Sequence, residues 1–247
     1  MNVVITGAAS GIGLELAKIY KSNGYNVIGV DINFMNEVSC DFDFYQTDLS
    51  LKENVDDFFA YIKEKYGKID IFIANAGFAY YEKISETSWD HIRKIYDINF
   101  ISPVYSYEKM LEISRKESFK FVFISSVMAF WPLPGYSLYS SSKAALMCFF
   151  KSINYERLKN QSLHIVFPVS TQTNFFNVSG QSHKPWLQQT PKYVAKKIFN
   201  GVSKNKKRIY PSLLFKWTYT ICPWCLSFYI KREQKILSKL SKWKKYR

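Results

Sequence analysis

Tyr139-Ser140-Ser141-Ser142-Lys143 sets a phenol and an ammonium four residues apart, a spacing that puts both on one face of a helix. Ser126 ends an apolar run thirteen residues upstream. A free tyrosine has a pKa of about 10 and is a poor base at neutral pH. A phenol used for proton transfer therefore needs a neighbouring cation to lower it, and Lys143 is spaced to provide one. Taken singly, each of these residues reads as surface or packing. Together, and following the glycine turn described next, they are hard to assign to packing.

Thr6-Gly7-Ala8-Ala9-Ser10-Gly11-Ile12-Gly13 falls between an apolar run and an amphipathic one. Glycines there let the backbone turn tightly and approach a pyrophosphate, which rests on the positive end of the following helix. Alone, such a turn is weak evidence. Asp31 strengthens it, because it lies 18 residues beyond Gly13, near the roughly 20 expected for a carboxylate that grips ribose hydroxyls. A plain turn residue is the other reading of Asp31. Asp48 ends the next apolar run, where it would meet an adenine edge. A 2′-phosphate beside Asp31 would bring like charges together, and Ser10 puts no cation just before Gly11, so NAD(H) is favoured over NADP(H).

These residues need a scaffold, and the period of the sequence supplies one. Val3–Thr6, Val27–Asp31, Phe44–Thr47, Ile69–Asn75, Phe119–Ser125 and Leu163–Phe167 read as buried strands. Leu14–Asn23, Leu51–Tyr66, Ser88–Ile113 and Ser137–Asn160 have helical spacing, with Ser50 and Ser88 at N-cap positions. Alternating βα units imply one doubly wound parallel sheet of Rossmann type with helices on both faces and ligands beyond the carboxyl ends of its strands. Residues 168–190 read as a long loop or lid with aromatic anchors. A helix from Pro191 to Asn200, capped by Thr190, and a strand near Arg208–Tyr210 close the domain, which is assigned to residues 1–211.

Length and composition agree with a single domain: 247 residues, 47% hydrophobic and 18% aromatic, are enough for a large core and exclude general disorder. The net charge of +14 is unevenly placed, since residues 192–247 hold 16 basic side chains and one acid, Glu233. Residues 212–247 form a basic aromatic extension. Its helical stretch sets Ile236, Leu237, Leu240 and Trp243 on one face among lysines, the pattern of an interfacial anchor on an anionic membrane. Packing on the chain's own domain or on a second subunit is the alternative, and nucleic acid is disfavoured because no reading motif accompanies the charge. Cys222-Pro-Trp-Cys225 lacks the strand-to-helix setting of a redox pair and has no further zinc ligands spaced nearby, and His91 and His164 show no metal-like spacing. No metal is expected. The opening Met1-Asn2-Val3 lacks a basic and apolar leader, and four cysteines make no disulfide framework. A cytoplasmic protein, peripheral on the inner face of a membrane, is the expectation.

The motifs in their order resemble the short-chain dehydrogenase/reductase family over about residues 2–210. They are Thr-Gly-x-x-x-Gly-x-Gly at 6–13, Asp48-Leu49, Asn75-Ala76-Gly77, Asn99, Ser126, Tyr-x-x-x-Lys at 139–143, and Pro168 with Thr173. The resemblance implies NAD(P)-dependent interconversion of an alcohol and a ketone in a homodimer or homotetramer. It implies that Tyr139 exchanges a proton with the substrate oxygen, Ser126 orients that oxygen, Lys143 holds the nicotinamide ribose, and Asn99 fixes a relay water. Gly7, Ser10, Gly11, Ile12, Gly13, Asp31, Asp48, Leu49, Asn75, Ala76, Gly77 and Thr173 would complete the cofactor site. Val169 departs from the family's usual glycine after Pro168, and a β-branched residue resists positive φ. Trp131, Phe175 and Phe176, with Phe130 and Trp186, either line a pocket for a bulky hydrophobic substrate or pack the core. A dinucleotide-binding scaffold or sensor with a membrane- or partner-binding tail and little turnover is the alternative function.

Overall fold

The computed structural model describes residues 1–33, 41–114, 117–173, 188–221 and 230–238, with only the main chain at 219–221. The strands are β1 (Asn2–Thr6), β2 (Asn26–Asp31), β3 (Asp43–Gln46), β4 (Ile71–Ala74), β5 (Phe119–Ile124), β6 (Gln161–Val166) and β7 (Arg208–Ile209). They form one parallel sheet in the order β3-β2-β1-β4-β5-β6-β7. β1 is flanked by β2 and β4, with Val3 opposite both Val27 and Ile71. This is the switch point at which the order reverses and a crevice opens.

The strands are apolar at consecutive positions because both faces of the sheet are covered. Val4, Ile28, Val30, Phe72, Phe121, Phe123 and Ile165 form one buried face with side chains of α2 (Lys52–Tyr66), α4 (Ser102–Ile113) and α5 (Ser137–Glu156). Val3, Ile5, Val27, Ile71, Ile73, Val122 and Ile124 form the other with α1 (Gly11–Ser22) and α6 (Pro191–Ser203). Phe72 stacks on Phe121 at 5.0 Å, and Phe121 meets Phe123 at 4.5 Å, so rings tie β4 to β5. Truncating a fully buried ring such as Phe121 to alanine costs about 3–5 kcal/mol.

Three local expectations need correction. Ser50 does not cap α2. Leu51 holds the cap position, and Ser50 lies one residue before it, its amide donating to Asp48 Oδ1 at 2.9 Å in an Asx turn. The helical stretch over Ser88–Ile113 divides into α3 (Trp89–Tyr96), a π segment (Asp97–Ile101) and α4, a wider turn that periodicity does not reveal. α5 stops at Glu156 because Arg157 turns extended and its guanidinium donates to the Gln161 carbonyl at 2.7 Å. Ser88 and Thr190 do cap their helices, accepting from the His91 and Tyr193 amides.

The long loop is described only at its ends, where Thr171 bridges Gln189 and the Gln189 amide donates to the Ser170 carbonyl at 2.9 Å. Residues 213–221 (α7, Leu213–Ile221) and helical residues 230–238 follow β7. No described helix is long and apolar enough to cross a membrane.

Candidate active site

The glycine turn is fastened to both neighbours of β1. The Gly7 and Ala8 amides donate to the Val30 carbonyl at 2.7 and 3.2 Å. Thr6 Oγ1 accepts from the Asn75 and Ala76 amides at 2.9 Å each, and Asn75 Nδ2 donates to the Thr6 carbonyl at 2.9 Å. Asn75 thus joins the turn to the end of β4. Gly7 and Gly11 have φ of +69° and +57°, and a Cβ on them would lie 2.9 Å from Asn75 Nδ2 and from Thr173 Cγ2 respectively. Only glycine combines that backbone with that closeness.

Beyond the turn, α1 carries no acid in its first turn, and its first amides have no helical acceptor. That donor set suits a pyrophosphate. Asp31 takes part in the turn, one of the two readings made of it. Its Oδ2 accepts from the Ala9 amide and its Oδ1 from the Asn33 amide, each at 3.0 Å. A carboxylate offers about four lone-pair positions, so two remain for ribose hydroxyls. The residues present therefore fit a nicotinamide dinucleotide.

A continuous cavity of about 1130 Å³ runs from this turn across the carboxyl ends of the strands. Gly7, Ser10, Gly11, Ile12, Asp31, Asp48 and Leu49 line one end, with Asn75, Ala76, Gly77 and Thr173 farther along. Ser126, Tyr139, Lys143 and Trp131 also line it. Two expected site residues do not. Gly13 is packed, since a Cβ there would come 2.0 Å from the Gly7 carbonyl oxygen. Asn99 is buried in the π segment, donating to the Phe78 carbonyl at 2.9 Å and to Ser142 Oγ at 3.2 Å and accepting from the Phe78 amide. Its side-chain amide fastens the loop after β4 to α5. Phe175 and Phe176, with Trp186, Cys222 and Cys225, lie outside the described residues.

Tyr139 and Ser126 both line the cavity, and Ser126 Oγ accepts from the Met128 amide at 3.1 Å. Lys143 Nζ donates to the Ile124 carbonyl at 3.0 Å and lies 5.8 Å from the Tyr139 ring. Gly77 keeps this corner open, because a Cβ there would meet Asn99 Oδ1 at 2.5 Å and Lys143 Nζ at 3.3 Å. Burial pushes the Tyr139 phenol up to about 12, with the hydrogen bond from Ser126 opposing it. Burial also draws Lys143 down to about 8. Desolvation is the largest effect on the Tyr139 phenol.

Val169 lines the cavity without strain, since Asn205 is the one non-glycine residue with positive φ among those described. Phe130 packs on Phe167 at 4.7 Å and belongs to the core. Trp131 faces the cavity and meets Phe215 of α7 edge-on at 4.8 Å. Sequence reasoning missed this wall: Leu214, Phe215, Thr218, Ile230 and Glu233 of the basic extension line the cavity beside Met128, Leu133 and Tyr136. Its one sequence signal was Glu233, alone among 16 cations. No cluster of metal-ligating side chains occurs among the described residues.

A family model described as short chain dehydrogenase matches residues 1–183. Dehydrogenase/reductase SDR family member 7B of Mus musculus is 29% identical over 232 residues, 84% of this chain and 72% of that protein. An 11-beta-hydroxysteroid dehydrogenase-like 2 of Arabidopsis thaliana is 30% identical, over 90% of this chain and 77% of its own. Among solved structures, a short-chain dehydrogenase from Sphingobium yanoikuyae in complex with NADPH superposes with a TM-score of 0.79 at 21% identity, covering 89% of this chain and 91% of that one. One from Burkholderia phymatum in complex with NAD also gives 0.79, at 17% identity and coverages of 88% and 90%. With a matched motif set around one cavity and a family match over most of its length, the chain belongs to the short-chain dehydrogenase/reductase family and is an NAD(P)-dependent oxidoreductase.

Proposed function

We propose that the protein interconverts an alcohol and a ketone on a bulky apolar substrate, with NAD(H) as its redox partner. The observation that carries this reading is the placing of Tyr139, Ser126 and Lys143 on one cavity whose far wall is mostly apolar. The bound dinucleotide supplies or accepts the hydride. In the reducing direction Tyr139 gives its hydroxyl proton to the carbonyl oxygen, while the Ser126 hydroxyl holds that oxygen in place. A phenol pushed up to about 12 stays protonated at neutral pH and still donates downhill to an alkoxide. Lys143 holds the ribose hydroxyls, and its charge, with that of the oxidised ring, eases removal of the proton in the oxidising direction. Asn99 positions α5 through Ser142, whose hydroxyl donates to the Tyr139 carbonyl at 2.8 Å.

The choice of NAD(H) rests on Asp31 and on the absence of any Lys or Arg from residues 32–42, where Glu37 and Asp41 add negative charge. The bulky substrate rests on Met128, Trp131, Leu133 and Phe215 in the cavity wall, and the name of the Arabidopsis relative points the same way. A screen of steroid, acyl and small-ring alcohols and ketones, followed by nicotinamide absorbance, tests the reading. Turnover on at least one bulky ring ketone is expected, and Tyr139→Phe should abolish it with little change in dinucleotide affinity. Dinucleotide binding without hydride transfer on any of them would favour a scaffold or sensor. We also propose that the extension touches a membrane, because Leu213, Leu214 and Trp217 of α7 are 60%, 66% and 61% exposed beside Lys216.

A further inference from the structure

The helical residues 230–238 turn Ile230 and Glu233 toward the domain, while Lys231, Arg232 and Lys235 are exposed. Inward positions of an amphipathic helix are ordinarily apolar. Here one carries a carboxylate that is 3% exposed and lines the cavity. It is also the one acid in residues 192–247, set among 16 cations. A carboxylate has about four lone-pair positions and can accept from more than one donor at a time.

The place of Glu233 relative to the reacting groups follows from a chain of rings. Tyr139 lies 6.3 Å from Tyr136, and Tyr136 lies 5.0 Å from Tyr81, centre to centre. Burial, with the negative charge of Glu233 adding to it, pushes the Tyr81 phenol up to about 12. Two ring-to-ring steps therefore separate the Tyr139 ring from a ring that feels Glu233. Met128, Leu133, Tyr136 and Phe215 line the same cavity. Thr218 Oγ1 donates to the Leu214 and Phe215 carbonyls at 3.0 and 3.1 Å, so it is occupied within its own helix.

We infer that Glu233 is a specificity-determining residue that accepts a hydrogen bond from a hydroxyl or amine on the far end of a bulky apolar ketone or alcohol. This rests on the proposed reading of the cavity as a substrate site. The substrate is then two-ended, with a carbonyl held by Tyr139 and Ser126, an apolar middle, and a donor group at Glu233. A carboxylate accepts only, so it favours hydroxyl and ammonium groups and repels an acid at the same position.

The test uses the full-length protein and four phenyl-substituted cyclohexanones whose para position carries hydrogen, hydroxyl, aminomethyl or carboxylate. Their Kd values with NADH bound are measured by calorimetry, and kcat/KM by nicotinamide absorbance. The hydroxyl and aminomethyl compounds should bind at least tenfold more tightly than the unsubstituted one, and the carboxylate more weakly. Glu233→Gln should remove most of the aminomethyl preference and keep part of the hydroxyl preference, since an amide oxygen still accepts. Glu233→Leu should remove both. A role confined to anchoring the helix would weaken all four ketones alike and leave their ratios unmoved, which would overturn the inference. So would equal affinities in the unaltered protein. If no ketone is turned over, the function proposed above fails while the Kd ratios still decide the role of Glu233.

Discussion

Asp31 and Lys143 show how one side chain can serve two masters, and each makes a measurable claim. Asp31 both holds the Ala9 amide and faces the cavity, so Asp31→Ala should weaken NAD(H) by at least tenfold and narrow its advantage over NADP(H). Titration of both nucleotides against intrinsic fluorescence checks this, and equal affinities in the unaltered protein would remove the argument from charge. Lys143 is drawn down to about 8 by burial, whereas an unfolded lysine titrates at about 10.4. Between those values the unfolded chain binds a proton that the folded chain lacks, so stability rises with pH. From pH 7.5 to 9.5 the gain should be about 2 kcal/mol in urea unfolding of the dinucleotide-free protein. Lys143→Met should abolish it. The raised phenols of Tyr139 and Tyr81 act in the opposite sense but only above about pH 10, where the unfolded chain would lose protons that the folded chain keeps.

At the scale of elements, the glycine turn distinguishes crowding from open space. Gly13→Ala would drive a methyl against the Gly7 carbonyl, so it should cost about 3 kcal/mol and dinucleotide affinity with it. Gly24→Ala has nothing within 4 Å and bears only the strain of φ +80°, about 1 kcal/mol with binding unchanged. Urea unfolding and nucleotide titration of the two variants separate these effects. The turn, the strands and the Tyr139–Lys143 helix were legible because each is a local pattern: glycine spacing, consecutive apolar residues, and a pair four residues apart. The packing role of Gly13 was not, since it depends on a carbonyl six residues earlier folding back over the helix. The π segment and the Asx turn at Asp48 were hidden for a similar reason, as each replaces a regular hydrogen bond with one that composition does not announce. The wall made by Phe215 depends on a contact with Trp131, 84 positions earlier, beyond the reach of any periodicity.

Across the whole molecule, the two ends of the cavity come from different parts of the chain. The end that fits a dinucleotide is lined from between residues 7 and 77 and by Thr173, whereas the far wall joins residues from between 128 and 136 to α7 and residues 230 and 233. A chain ending at Pro211 should therefore keep its affinity for NADH, while KM for bulky ring ketones rises at least tenfold through loss of Phe215 beside Trp131. If membrane contact is a second duty of the extension, the full-length protein should sediment with anionic liposomes at 0.01 M salt, where the Debye length is about 30 Å. It should be partly released at 0.1 M, where that length is about 10 Å. Apolar burial of Trp217 is not screened by salt and should hold the remainder. The strand order carries a different consequence, for the chain as it is being made. After β1 and β4 pair, β5, β6 and β7 each join the same growing edge in the order of their synthesis. No later strand must be inserted between two earlier ones on that side. The crevice at the carboxyl ends of the strands can thus form before α7 and residues 230–238 are made, and a nascent protein can hold a dinucleotide before those helices complete the cavity wall.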